Sequence, residues 1–219
     1  MPLCLPLCHL QKVSLHFCLH CKPVFADIAL QQGYDDIFFL DINIKNKKKF
    51  SGEKILNLKN IHYGFNNIDN LKYIKNAFVA IGDNMIRENY FLKLKKLKFK
   101  LITFIHTTAC ISKFAKIGDG TLINAGVVIN AEAKIADNCI INSSSIIEHD
   151  VKISKNCHIA PGVNICGGCS IGQNTLIGVG TSILPNIKIG SKVIVGGGSL
   201  VNKPLRSNST FFGVPARLK

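Results

Sequence analysis

Isoleucine returns every six residues through the second half of this chain. It stands at Ile111, Ile117, Ile123, Ile129, Ile135, Ile141, Ile147, Ile153, Ile159, Ile165, Ile171, Ile177, Ile183 and Ile189, and Val195 and Val201 keep the phase, giving sixteen consecutive matches. Four residues after these positions comes a small or β-branched side chain, for example Ala115, Thr121, Val127, Ala133, Cys139, Ser145, Val151 and Cys157. A period of six is neither the 3.6 of a helix nor the 2 of a simple strand. Six residues make one flat face and a corner, and three faces close an 18-residue coil. Each isoleucine then stacks on its counterpart in the next coil at strand spacing, roughly 4.8 Å. The result is a solenoid with continuous apolar ladders inside a triangular prism. Turn formers such as Gly118, Asp119, Gly120, Asn138, Asn156, Gly190 and Ser191 punctuate it.

The residues before the repeat follow a different rule. Residues 24–32 read as a helix closed by Gly33, and Ile37–Asp41 as a buried strand ending in an acid. Ala77–Ile81 reads as a second strand, followed by Gly82-Asp83-Asn84 and a helix to about Lys96. Residues 101–105 read as one last strand into the prism. Alternating strands and helices imply a parallel sheet, a small Rossmann-like α/β domain. The expected division is 1–19, an atypical N-terminal segment; 20–106, the α/β domain; and 107–219, the β-helix with a C-terminal tail.

The chain carries a net charge of +14 and a hydrophobic share of 47%. The charge is largely lysine without interleaved aromatics, so a solvated face ranks ahead of a phosphate-bearing substrate, and nucleic acid ranks a distant third. No run of about 18 apolar residues announces a membrane span. Nine cysteines in no disulfide-scaffold spacing suggest a reducing cytoplasm, and those within the repeat read as small buried side chains.

The segments His20-Cys21-Lys22, Gly33-Tyr34, Phe39-Leu40-Asp41, Val79 to Asn84 and Phe104-Ile105-His106, with the prism and the tail Gly213-Val214-Pro215-Ala216-Arg217, resemble one group of hexapeptide-repeat acyltransferases. That group holds the bacterial UDP-4-amino-sugar N-acetyltransferases and the sialic acid O-acetyltransferases. The resemblance implies a left-handed parallel β-helix, an exception to the usual right-handed crossover. It also implies acetyl-CoA as co-substrate, a sugar or nucleotide-sugar acceptor, a homotrimer with active sites between subunits, and no metal. The leading expectation is acetyl transfer to the amine of a nucleotide-linked 4-amino-sugar for a surface glycan. O-acetylation of a sialic-type sugar is the runner-up. A metal hydratase on the same β-helix, needing three histidines, and a non-catalytic descendant rank below. Residues 1–19 depart from the pattern, for the family's Gly-rich turn before the His-x-Lys segment is missing and Pro2 and Pro6 suit a central strand poorly. An altered reading frame or misplaced start upstream of His20 would explain this.

Direct acetyl transfer needs a base, an oxyanion donor and a groove that aligns two substrates. Only His149 and His158 lie inside the repeat. His149 stands among exposed corner positions between Glu148 and Asp150, either of which could orient its ring; a solvated surface histidine is the plain alternative. The resemblance puts the catalytic base at His149 and its tuning acid at Asp150. It puts acetyl-CoA contacts at His158, Gly167, Val179 and Gly197, and substrate contacts at His20, Asp41, Gly82 and Asn142. His158 follows His149 by nine residues, half a coil, so the two belong on opposite sides of one prism. Gly167 follows His149 by 18 residues and belongs one coil above it.

Overall fold

The computed structural model describes residues 13–18, 22–34, 36–41, 61–63 and 75–219. Its first half is a five-stranded parallel sheet with two helices: β1 (Val13–Cys18), α1 (Lys22–Gln31), β2 (Asp36–Asp41), β3 (Ile61–Tyr63), β4 (Asn76–Ala80), α2 (Asn84–Lys96) and β5 (Lys100–Leu101). The strand order β3-β2-β1-β4-β5 reverses its winding between β1 and β4. In such sheets the crevice for a ligand opens at the carboxyl ends of the strands beside that reversal.

Residues 13–18, within the segment that reads as atypical, form the central strand of the sheet. β1 pairs with β2 from Val13↔Asp36 to Phe17↔Leu40, and with β4 from Ser14↔Asn76 to Cys18↔Ala80. Both prolines precede β1. Val13, Leu15 and Phe17 alternate with Ser14, His16 and Cys18, the period of two that a strand requires.

α1 begins at Lys22 and ends one residue before the expected stop. Gly33 closes it at φ 78°, donating its N–H to the Leu30 carbonyl at 2.9 Å; glycine takes this left-handed turn without a Cβ penalty. α2 starts at an Asp83 N-cap, whose Oδ1 accepts from the Ile86 N–H at 2.8 Å. Its last turn carries Lys93, Lys95 and Lys96, which complement the negative end of the helix dipole. The expected strand 101–105 is two strands in two sheets. β5 ends at Leu101, and β6 (Phe104–Ile105) already belongs to the prism. Between them the chain crosses over: Ile102 N–H still donates to Ala77 of the α/β sheet, while Thr103 Oγ1 donates to Gly118 of the prism at 2.7 Å.

From β6 onward the chain winds a left-handed β-helix of roughly six turns. Two-residue strands recur every six residues and stack, in register 18 residues apart, into a six-stranded, a five-stranded and, completed by the closing strands 210–212 and 217–218, an eight-stranded face. Ile129 thus stands opposite Ile111 and Ile147, and Ile141 opposite Ile123 and Ile159. The second residue of each strand points inward, and from Ile123 to Val201 these side chains are almost fully buried. Burying one such side chain contributes about 1.5–3 kcal/mol. The small residues fill the corners, and their polar atoms are satisfied locally: Thr175 Oγ1 donates to Gly190 O at 2.9 Å and Cys139 Sγ to Ser154 O at 3.2 Å. Cys139, Cys157 and Cys169 are buried as expected. Cys110 is exposed and Cys166 half-buried, because they occupy outward positions of the repeat rather than the corner-filling one. Residues 217–218 fold back antiparallel on 210–212 at the far end.

The outward residues tell the three faces apart. On the five-stranded face they are Lys116, Lys134, Lys152, Ser170 and Lys188. On the eight-stranded face the first three are Phe104, Leu122 and Ile140, all buried in one cluster with Ile28, Ala29, Phe78 and Ala80. Phe104 meets Phe78 and Tyr34 edge to face, at centroid distances of 5.1 and 5.5 Å. The α/β domain is therefore seated on this face by a second, smaller core.

Candidate active site

At each prism corner from Gly120 to Gly198 one residue takes a left-handed conformation, and the sequence supplies glycine, asparagine or aspartate for most of them. Asp150 is such a residue, at φ 61°. This turn brings its side chain back alongside its neighbour, so that the His149 Nδ1–H donates to Asp150 Oδ2 at 2.8 Å. A carboxylate only accepts, which assigns the proton to Nδ1 and leaves a lone pair on Nε2. Glu148, the other candidate to orient the ring, is engaged elsewhere: its Oε2 accepts from Asn130 Nδ2 at 2.9 Å. The side chains of His149 and Asp150 are about two-thirds exposed (65% and 63%), so a substrate can reach the free nitrogen.

Gly167 lies one coil above. A Cβ built there would stand 2.6 Å from both Cε1 and Nε2 of His149, so only glycine leaves the face of the imidazole clear. The backbone holds the stack, with Gly168 N–H donating to His149 O at 3.0 Å. His149, Asp150 and Gly167 therefore form one cluster at the corner between the six-stranded and five-stranded faces.

The other candidates lie elsewhere. Val179 and Gly197 stack one coil apart at the corner between the eight-stranded and six-stranded faces, where a Gly197 Cβ would meet Val179 Cγ1 at 2.9 Å. Val179 is exposed. Asn142 is at the same corner nearer the N-terminal end, and its Oδ1 accepts from Asn124 Nδ2 at 2.8 Å and from Ser143 N–H at 2.9 Å. The structure does not bring it to His149. His158 follows Phe104, Leu122 and Ile140 in the outward column of the eight-stranded face, half a coil from His149. Its Nδ1–H donates to the Gly82 carbonyl at 3.2 Å, and its Nε2 is buried with no hydrogen-bond partner among the described residues. Burial first, and the neighbouring Arg87 charge second, push its pKa down to about 4, so the ring is neutral near pH 7.

Among the substrate candidates, Asp41 ends β2 and Gly82 follows β4, both at the carboxyl ends of the parallel strands. A Cβ on Gly82 would meet nothing within 4 Å. His20 lies outside the described residues. So do Cys4, Cys8, His9 and Cys21 of the cysteine- and histidine-rich start. Among the described residues no group of three His, Cys, Asp or Glu side chains is placed to hold a metal ion, and no helix is long and apolar enough to cross a membrane.

One central residue was missed. Arg87 is fully buried between the two domains, and all its donors are engaged. Nε donates to Asn138 O, Nη1 to Ile81 O and Gly82 O, and Nη2 to Asn84 Oδ1, Asn156 O and Cys157 O, at 2.7–3.2 Å. The signal was present in α2, where Arg87, Phe91 and Leu94 share the buried stripe at i, i+4 and i+7. A charge on that stripe marks an engaged group.

Comparison with known proteins agrees with this architecture. Residues 19–94 match the family described as PglD N-terminal domain, and residues 132–167 and 168–203 match the bacterial transferase hexapeptide (six repeats) family. Among solved structures, PerB from Caulobacter crescentus, in complex with CoA and GDP-perosamine, is 28% identical, with a TM-score of 0.85 over 96% of this chain and 98% of that one. The acetyltransferase domain of PglB from Neisseria gonorrhoeae, in complex with acetyl coenzyme A, is 25% identical, with a TM-score of 0.87 over 95% and 100%. WeeI from Acinetobacter baumannii shares the fold at 21% identity, with a TM-score of 0.81 over 94% and 99%. Comparison with curated protein sequences finds no match.

Proposed function

This chain belongs to the hexapeptide-repeat sugar acyltransferases, and on that premise we propose that it transfers an acetyl group from acetyl-CoA to the amine of a nucleotide-linked 4-amino-sugar, for a surface glycan. The observation that carries the reading is the His149–Asp150 pair beneath Gly167. It pairs an accessible lone pair with a carboxylate that orients the ring. The solved structures with CoA and GDP-perosamine, and with acetyl coenzyme A, support both substrates.

In this mechanism the sugar amine attacks the thioester carbonyl carbon, and His149 Nε2 takes the amine proton as the C–N bond forms. The resulting imidazolium is held by Asp150. The Gly167 backbone N–H donates to the oxyanion of the tetrahedral intermediate. Collapse breaks the C–S bond, and the CoA thiolate leaves with the proton passed on by the imidazolium. No covalent enzyme intermediate is needed. Val179 and Gly197 line the acetyl-CoA groove, which His158 also contacts. The crevice at β1, β2 and β4, with His20, Asp41 and Gly82, holds the nucleotide, and Asn142 contacts the substrate near the reacting centre.

The His149 corner and the Val179–Gly197 corner of one prism are separated by the six-stranded face. A homotrimer, in which one subunit's base faces another's groove, supplies both to one site. The free thiols fit a cytoplasmic setting.

The test is CoA release from acetyl-CoA with a panel of UDP- and GDP-linked 4-amino-sugars and free sialic acids. Turnover on a nucleotide-linked amino-sugar, reduced about 10²–10⁴-fold in His149→Ala, is the expected result. Turnover on sialic acid alone would move the reaction to an O-acceptor, and activity retained within about tenfold in His149→Ala would remove it as the base.

A further inference from the structure

A guanidinium with no exposed surface normally needs a carboxylate beside it, because an unpaired buried charge is costly. Arg87 has none among its hydrogen-bond partners. Its acceptors are five backbone carbonyls and the Asn84 side-chain oxygen, drawn from both domains: Ile81, Gly82 and Asn84 on one side, and Asn138, Asn156 and Cys157 on the other. Three of these prism carbonyls can face Arg87 because of the repeat. Asn138 and Asn156 stack in left-handed corners at φ 58° and 62°, with Asn138 Nδ2 donating to Asn156 Oδ1 at 2.8 Å. Burial lowers the guanidinium pKa to about 10, so the charge persists at neutral pH.

The Gly82 carbonyl is the point of convergence. It accepts from Arg87 Nη1 at 2.9 Å and from His158 Nδ1–H at 3.2 Å. Gly82 opens the loop that follows β4 at the carboxyl end of the sheet, so one carbonyl links the acceptor-side loop, the buried cation and a prism histidine. We propose that Arg87 is a positioning residue of the acetyl-transfer site: it fixes the Gly82–Asn84 loop on the prism and, through the Gly82 carbonyl that both residues bond, holds His158 in the Nδ1–H tautomer with its Nε2 lone pair unprotonated. This rests on the proposed function for its catalytic consequence, though not for the tautomer. In that state His158 accepts a hydrogen bond from a donor, such as an amide N–H of the pantetheine arm or the incoming amine. It does not donate to the thioester oxygen, and the oxyanion is left to the backbone.

The geometry explains why lysine cannot substitute. A lysine carries three donors on one compact ammonium, whereas the planar fork of Arg87 spans six acceptors around its edge. Arg87→Lys should release the Gly82 carbonyl from its fixed place, and the His158 ring should lose its single tautomer.

The experiment is nitrogen-15 NMR of the histidine side chains in the full chain without substrates, with the His158 signal assigned by its loss in His158→Gln. A neutral His158 ring, protonated on Nδ1 in the wild-type protein and averaged between tautomers or protonated near neutral pH in Arg87→Lys, is the expected result. The same variant should lose about tenfold or more in kcat, at a temperature where it is fully folded. A wild-type His158 protonated on Nε2 would overturn the proposal, even if Arg87→Lys failed to fold. So would an Arg87→Lys protein with a lower Tm but an unchanged tautomer and kcat, since a purely structural role gives that pattern. If no sugar is acetylated by the wild-type chain but the tautomer still depends on Arg87, the proposed reaction fails and the positioning role stands.

Discussion

In the prism, Ile129 stands opposite Ile111 and Ile147; in the α/β sheet, Leu15 stands opposite Phe38 and Ala77. The first arrangement repeats one side chain at a fixed separation of 18, so every coil specifies the register of the next. The second joins unlike residues at unequal separations and is specified only once. The prism therefore carries its own continuous core, while the α/β domain completes its core by borrowing Phe104, Leu122 and Ile140 from the outside of the prism. His158 continues that outward column one coil beyond Ile140. The inside of the prism holds the fold, and its outside seats the second domain.

The largest expected effect tests the inside against the outside directly. Ile159 is fully buried, whereas Ile194 is an outward residue of the same face and 46% exposed. Ile159→Asp places an unpaired carboxyl in the ladder and should cost several kcal/mol, enough to abolish cooperative unfolding of the prism. Ile194→Asp should stay within about 0.5 kcal/mol of wild type. Denaturant unfolding of both separates them. Equal losses would mean that the outer residue is also covered in the assembled protein and that inside and outside are not energetically distinct.

A smaller effect probes the seam between the domains. The His158 pKa is about 4 in the folded chain, against an ordinary 6.5. Between those values the unfolded chain takes up a proton that the folded chain refuses, so stability falls as pH drops from about 6.5 to 4 and is unaffected by this group above that window. The loss is on the order of 2 kcal/mol, allowing for partial access of water to the ring. Thermal unfolding across this range should show a steeper decline for wild type than for His158→Gln. Parallel curves would mean that water reaches the ring freely and that the α/β domain is seated less tightly than the prism is packed.

How much of this was legible follows from the same contrast. The ladders, the stacking of Gly167 over His149 and the separation of His149 from His158 all follow from counting in sixes and eighteens, because a repeat converts sequence distance into spatial distance. The choice of Asp150 over Glu148 came from the family resemblance, and strand alternation alone left it open. It depends on a left-handed turn at Asp150 that overrides strand alternation. β1 was hidden because Pro2 and Pro6, which suit a strand poorly, stand in the same segment ahead of the short alternation from Val13 to Cys18. Arg87 was hidden for a different reason: all its partners but one are backbone carbonyls, which every residue possesses, so no pairing of side chains in the sequence points to it. The outward column Phe104, Leu122, Ile140, His158 was readable in principle, since its apolar start differs from the lysines at equivalent positions of the five-stranded face.

Those lysines give the smallest and most discriminating test. Lys134 lies in register between Lys116 and Lys152, and all three side chains are exposed. Like charges directly opposite on one sheet face repel by about 0.2–1 kcal/mol, in a chain whose net charge is already +14. Lys134→Glu turns two repulsions into two attractions without touching the ladder beneath, where Ile135 remains buried. The expected outcome is a gain of about 0.5 kcal/mol at low salt, fading as ionic strength shortens the Debye length toward roughly 3 Å at 1 M. A loss of stability instead would show that these lysines meet an acidic partner surface, and that the five-stranded face, like the eight-stranded one, is covered rather than free.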